Sequence, residues 1–122
     1  MNIKTILNVE DDPALRKLVR HLFRNSSVRV IEAFNGAEAV ELARKECPDL
    51  ILMDIQLPRL SGYDATRAIK ADPDLAGIPI IAVTGFALQG EEEKTITAGC
   101  DAYISKPYQP MALKALVEKH LA

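Results

Sequence analysis

The chain has 122 residues, 48% of them apolar and 26% charged, which fits one ordinary globular domain with enough material for a core. Seventeen acidic against fifteen basic residues give a net charge of −2, which leaves no electrostatic footprint for DNA or RNA, and no apolar run approaches the ~20 residues that a membrane helix needs. Cys47 and Cys100 are isolated, without metal-ligand spacing, and are expected to be reduced thiols of a cytoplasmic protein; residue 1 leads straight into a strand-like run, so no secretory leader is expected.

Short apolar runs alternate with amphipathic stretches along the whole chain. Residues 5–9 read as a strand, followed by Asp12 and Pro13 as an N-cap and first helical position. Leu15, Leu18, Val19, Leu22 and Phe23 then form one apolar stripe at helical spacing. Residues 28–33 predict a second strand. Asn35 and Glu38, three apart, are placed to cap a second helix that Cys47-Pro48 ends. The continuous apolar run 50–53, closed by Asp54, suits a strand covered on both faces. A helix over 62–71 stops at Asp72-Pro73. Residues 78–83 predict a fourth strand, closed by Thr84; 89–98 a weaker helix; and 102–105 a short fifth strand. A last helix starts near Pro110 and carries Leu113, Leu116, Val117 and Leu121 on one side.

Five strands alternating with five helices predict an α/β domain with a parallel sheet and helices on both faces, and right-handed crossovers leave few topologies open. Ligands of such sheets bind at the carboxyl ends of the strands, where the strand order reverses. The residues expected there are Glu10, Asp11 and Asp12 after strand one, Asp54 after strand three, Thr84 after strand four, and Lys106-Pro107 after strand five. Each alone has a plain structural use, as cap, turn residue or solvated charge; their shared address in one crevice is what points to chemistry.

Two carboxylates ~4 Å apart repel by roughly 4 kcal/mol at an effective dielectric near 20. Protonation, Lys106 or a divalent cation can relieve that repulsion. Oxygen donors with no histidine or cysteine among them favour Mg²⁺ or its relatives. A carboxylate can serve as the nucleophile in phosphoryl transfer, while a cation and a lysine neutralise charge on the equatorial oxygens and a hydroxyl such as Thr84 bonds a phosphoryl oxygen.

The motifs carrying these residues also resemble a known family. Ile6-Leu7-Asn8-Val9-Glu10-Asp11-Asp12, Pro48-Asp49-Leu50-Ile51-Leu52-Met53-Asp54-Ile55-Gln56-Leu57-Pro58 with Ser61-Gly62, Thr84-Gly85-Phe86-Ala87, and Gly99-Cys100-Asp101-Ala102-Tyr103-Ile104-Ser105-Lys106-Pro107 together resemble receiver domains of bacterial two-component response regulators. The pattern spans the chain and is similar to single-domain receivers of the DivK type and to receivers of hybrid kinases; it implies one receiver domain over residues 1–122 with a doubly wound (βα)5 flavodoxin-like fold, its five-stranded parallel sheet in the order 2-1-3-4-5. The resemblance implies that Asp54 is the phosphoacceptor, that Asp11 binds Mg²⁺ directly and Glu10 through water, and that the backbone carbonyl of Gln56 is a further ligand. Lys106 would contact the phosphoryl group, Thr84 would be the switch hydroxyl, Tyr103 the aromatic whose rotamer follows it, and the Lys106-Pro107 bond would be cis. It further implies a signalling domain rather than an enzyme in the usual sense, catalysing only its own phosphorylation and dephosphorylation. A histidine kinase or histidine phosphotransfer protein would donate the phosphoryl group, and a downstream protein would read the face made by helix four, strand five and helix five. With nothing after the closing helix in this chain, a protein contact is the expected output, unless the chain is part of something longer.

Three positions depart from the common pattern. Glu10 stands where Asp is commoner. Asn8 puts an amide in a strand that is normally aliphatic there, where burial without a partner costs a few kcal/mol. Gly85 stands where Ala is frequent and is expected to loosen its loop and open the site. Other classes fit less well. A flavin binder needs a Ser/Thr/Gly-rich phosphate loop where this chain has Glu10-Asp11-Asp12. An aspartate-nucleophile phosphatase needs its nucleophile after strand one. A phosphorylation-independent docking protein is the serious alternative, against which Asp54, Thr84 and Lys106 argue.

Overall fold

The computed structural model of the chain describes residues 3–85 and 91–121, except for the side chains of 91–93. Five strands, β1 (Lys4–Val9), β2 (Val28–Ala33), β3 (Leu50–Asp54), β4 (Ile80–Thr84) and β5 (Ala102–Ser105), alternate with five helices, α1 (Pro13–Leu22), α2 (Gly36–Glu46), α3 (Gly62–Ala71), α4 (Glu91–Ala98) and α5 (Pro110–Leu121). The strands form one parallel sheet, as the alternating pattern predicts, in the order β2-β1-β3-β4-β5 that the resemblance implies. The direction of winding reverses between β1 and β3, so a crevice opens beyond their carboxyl ends.

Strand alternation sorts the core into two layers. Leu7, Val9, Ile51, Met53, Ile80 and Ala82 meet Ala39, Val40, Ala43, Ala65 and Ile69 of α2 and α3. Ile6, Leu50, Leu52 and Ile81 meet Val19, Phe23, Leu113 and Val117, which places α1 and α5 on the opposite face. Every residue of β3 and β4 is buried, which explains their unbroken apolar sequence.

The predicted caps form. The Asp12 carboxylate accepts from the Ala14 N–H at 2.9 Å. Asn35 and Glu38 make a reciprocal pair, Asn35 Oδ1 accepting from the Glu38 N–H at 2.8 Å and Glu38 Oε1 from the Phe34 N–H at 3.2 Å. Two strand boundaries differ from the sequence reading. β1 begins at Lys4, whose N–H reaches Ser27 O, and β4 begins at Ile80 rather than 78. The Ile78 N–H instead closes a turn onto Leu75 O at 3.0 Å, and Pro79 has no N–H to donate to a ladder. α4 is described from Glu91; Gln89 and Gly90, predicted to open it, lie outside the described residues, as do Phe86, Ala87 and Leu88. Both cysteines are free, Cys47 exposed and Cys100 buried.

Candidate functional site

β1 and β3 are neighbours, with Asn8 beside Leu52 and Val9 beside Met53, so the residues that follow them rise side by side. Glu10, Asp11 and Asp54 each offer a carboxylate oxygen, and the three oxygens lie within 4.8 Å of one another. Glu10 and Asp54 are only 4% and 2% exposed, while Asp11 faces solvent. Such burial of two acids demands counter-charge, and Lys106 supplies part of it. Its ammonium lies 3.0 Å from Glu10 Oε1 and 3.2 Å from Asp54 Oδ2.

The titration behaviour follows from this packing. Burial, together with hydrogen bonding to Asp54 and its charge, pushes Glu10 from 4.5 up to about 7, against the lowering influence of Lys106. For Lys106, burial disfavours the charge, but the Glu10 hydrogen bond and the charges of Asp54 and Glu10 outweigh it and hold the pKa above the ordinary lysine value. Lacking a cation, the site therefore holds a proton on Glu10 at mildly acidic pH. The three clustered donors are carboxylate oxygens, with no sulfur or imidazole among them, which is the donor chemistry of Mg²⁺. Glu10, Asp11 and Asp54 thus fit that ion.

Backbone geometry aims the Asp54 carboxylate. It ends β3, and its Oδ1 accepts from the Gln56 N–H at 3.0 Å, leaving Oδ2 toward Lys106. Ser61 caps α3 by accepting from the Asp64 N–H, and the Gly62 N–H donates to Ile55 O at 3.0 Å. A Cβ at Gly62 would collide with the Asp54 carbonyl and the Ile55 backbone, which is the physical reason for glycine after Ser61.

Thr84 closes β4, fully buried, opposite Ser105. Its carbonyl accepts from the Lys106 N–H at 2.6 Å, which ties the strand bearing the hydroxyl to the lysine loop. The Lys106-Pro107 bond is cis. Tyr103 is half-buried against the α2 and α3 layer, its hydroxyl 2.9 Å from Ser105 Oγ, two residues along the same strand. Among the described residues, a Cβ at Gly85 would press on the Gln56 side-chain oxygen at 3.2 Å, so glycine there leaves room for that side chain. The sequence-predicted residues Glu10, Asp11, Asp54, Gln56, Thr84 and Lys106 therefore gather at one end of the sheet, while Tyr103 lies two residues back along β5 with its hydroxyl on Ser105.

Three nearby residues had no part in the sequence reading. Arg16 Nη1 donates to the Glu10 carbonyl at 3.1 Å. The Phe34 ring lies against the Arg16 guanidinium, 4.4 Å from centroid to Cζ. Tyr108 is held above its usual pKa, mainly by burial and next by the charge of Glu10. It lines a cavity of about 430 Å³ with Leu15, Leu18, Gly85 and Pro107. A signal for Arg16 exists in the sequence: a first-turn position four residues after the cap points back over the strand end.

Over residues 6–118 the sequence matches the response regulator receiver domain family. It is 51% identical over 104 residues, 85% of each chain, to the polar-differentiation response regulator DivK of Brucella anthropi. Among solved structures, the receiver domain of a sensor histidine kinase from Pseudomonas aeruginosa, which has a magnesium ion coordinated in its active site cleft, is similar at 37% identity and a TM-score of 0.89, over 98% of both chains. The signal receiver domain of a signal transduction histidine kinase from Syntrophus aciditrophicus is similar at 31% identity and a TM-score of 0.89, over 97% of this chain and 89% of that one.

Proposed function

The chain belongs to the response regulator receiver domain family of two-component systems, and from that membership and the geometry of the site we propose that residues 1–122 form one receiver domain whose Asp54 carboxylate accepts a phosphoryl group. The observation that carries this reading is the meeting of Glu10, Asp11 and Asp54 within 4.8 Å, with Lys106 bonded to two of them.

Asp54 Oδ1 accepts from the Gln56 N–H and Oδ2 from Lys106, and an oxygen of this carboxylate attacks phosphorus. The phosphorus–donor bond breaks as the acyl phosphate forms, and the donor takes the electron pair. Lys106, already 3.2 Å from Oδ2, stays on the phosphoryl oxygens as negative charge gathers there. Thr84 offers its hydroxyl to one of those oxygens. Mg²⁺ would be held by Asp11, Asp54 and the Gln56 carbonyl directly and by Glu10 through water, and when bound it supplies charge neutralisation. The domain in this reading is a signalling element that promotes its own phosphorylation and dephosphorylation rather than an enzyme acting on others.

The phosphoryl donor is a histidine kinase or a histidine phosphotransfer protein. Thr84, drawn toward the new anion, vacates space that Tyr103 enters, and the face of α4, β5 and α5 changes for a downstream protein. That face is supported by the exposure of Ile96 on α4 and Met111 on α5. Nucleic acid and membrane have no part in the reading. The proposed location is the cytoplasm, supported by two free thiols.

Incubation with acetyl phosphate and Mg²⁺, followed by intact mass, tests the reading. A gain of one phosphoryl group that needs Mg²⁺ and is lost in Asp54→Asn is expected. An unchanged mass for the parent chain, or the same gain in Asp54→Asn, contradicts it.

A further inference from the structure

We propose that Arg16 and Phe34 form a clasp that positions the Glu10–Asp11 turn, and through it the site for the cation; the inference rests on the function proposed above for that site. Glu10 lies one residue beyond β1, where the ladder to β3 has ended. Its N–H is tied to Ala33 O at 3.0 Å and its carbonyl to Arg16 Nη1 at 3.1 Å. Both peptide groups of Glu10 are thereby fixed, one to the end of β2 and the other to the first full turn of α1.

Arg16 is itself held at both ends. Its N–H donates to Asp12 O at 3.0 Å, and its guanidinium lies against the Phe34 ring at 4.4 Å. Phe34 is 46% exposed, far from the buried state of the chain's other large apolar groups near the sheet, so core packing does not account for an aromatic here. What holds it is the α2 cap, since the Phe34 N–H donates to Glu38 Oε1 at 3.2 Å and Asn35 next to it caps the helix. The ring is therefore a platform fixed by α2, the guanidinium rests on it, and the other end of the guanidinium holds Glu10.

Among the described residues the side-chain partners of Arg16 are a carbonyl and an aromatic face, so its guanidinium sits beside the acidic turn without a described carboxylate partner. The Glu10 carboxylate is further located by the Asp12 N–H at 3.3 Å and Lys106 at 3.0 Å, so its direction depends on where the turn sits. Groups of this kind, which touch a ligand's neighbour rather than the ion, set metal affinity by 10–100-fold. Arg16 and Phe34 are positioning residues in this sense.

The test uses the full chain, Mg²⁺ alone as the probe, and the variants Phe34→Ala, Phe34→Tyr and Arg16→Gln. Titration calorimetry should show Mg²⁺ affinity about 3–10-fold weaker for Phe34→Ala and about 10-fold weaker for Arg16→Gln. The double variant should be no more than about twofold worse than Arg16→Gln, because the two act as a unit. Phe34→Tyr keeps the aromatic face and should stay within about twofold of the parent. In the absence of metal, the amide resonances of Glu10 and Asp11 should shift in Phe34→Ala, while those of β4 and α5 stay in place. Should Arg16→Gln fail to fold, the two Phe34 variants decide the matter.

A merely structural role would lower the urea midpoint of Phe34→Ala and leave both its Mg²⁺ affinity and its Glu10 amide unchanged; that result overturns the clasp. A parent chain that binds no Mg²⁺ overturns the proposed function and the clasp together. Normal binding by the parent and all variants overturns the clasp alone.

Discussion

Asn8 lies on β1 and Glu10 one residue beyond its end, and the two polar groups set opposite demands. Glu10, pushed to about 7 by burial and by Asp54, is protonated in the metal-free chain below that pH. Because its folded pKa is raised above 4.5, the stability tied to this proton is fully present below pH 4.5 and is lost as pH rises through about 7. A cation that needs the charged carboxylate must displace the proton, so Mg²⁺ affinity should rise about tenfold per pH unit up to about 7 and level off above it. Calorimetry across pH 5.5–8.5 checks the slope and its break. Asn8 is 3% exposed and its Nδ2 has no hydrogen-bond partner. An orphaned buried donor costs about 1–3 kcal/mol, and a β-branched apolar residue suits a central strand. Asn8→Val should therefore raise the urea unfolding free energy by about 1–2 kcal/mol. The acid cluster was legible in the sequence because strand ends are marked by where apolar runs stop. The Phe34 contact with Arg16 was not, because it depends on how the turn after β2 packs beside α1, and Phe34 breaks no periodic pattern.

At the level of elements, the loop from β3 to α3 carries the tightest constraint. Gly62 brings the start of α3 against the backbone of Asp54 and Ile55, so a methyl group there must push the helix or the end of β3 aside. Gly62→Ala should cost about 1–3 kcal/mol or more in urea unfolding, as overpacking does, and should weaken Mg²⁺ binding in the same variant. The starts of α1 and α2 were readable to within a residue because Asp12 and Asn35 mark them. β4 was read two residues long because Ile78 and Pro79 are as apolar as the strand itself. Only their backbone hydrogen bonding, a turn at Ile78 and a missing donor at Pro79, removes them from the ladder.

The whole molecule joins the site to a distant surface through β4 and β5. Thr84 and Lys106 are bonded through the backbone, and Tyr103 lies on the strand that runs into Lys106. Phosphorylation adds about −1.5 to −2 charges at the end of the sheet, and the proposed response of Thr84 and Tyr103 carries the change along β5. Amide spectra of the phosphorylated and unmodified chain should differ over α4, β5 and α5 as well as around Asp54; shifts confined to the site would show that the signal leaves by another face. The fold class was legible because two apolar strands flanked by amphipathic helices admit few right-handed arrangements, while the strand order came with the family resemblance. The direction in which the Tyr103 ring lies was not, since it depends on the Ser105 hydroxyl and the layer beneath it. The central claim is that Asp54 is the nucleophile, and its most direct test is borohydride reduction of the phosphorylated chain followed by peptide mass mapping. The account predicts homoserine at position 54 and nowhere else; reduction at Glu10 or Asp11, or at none of the three, would contradict it.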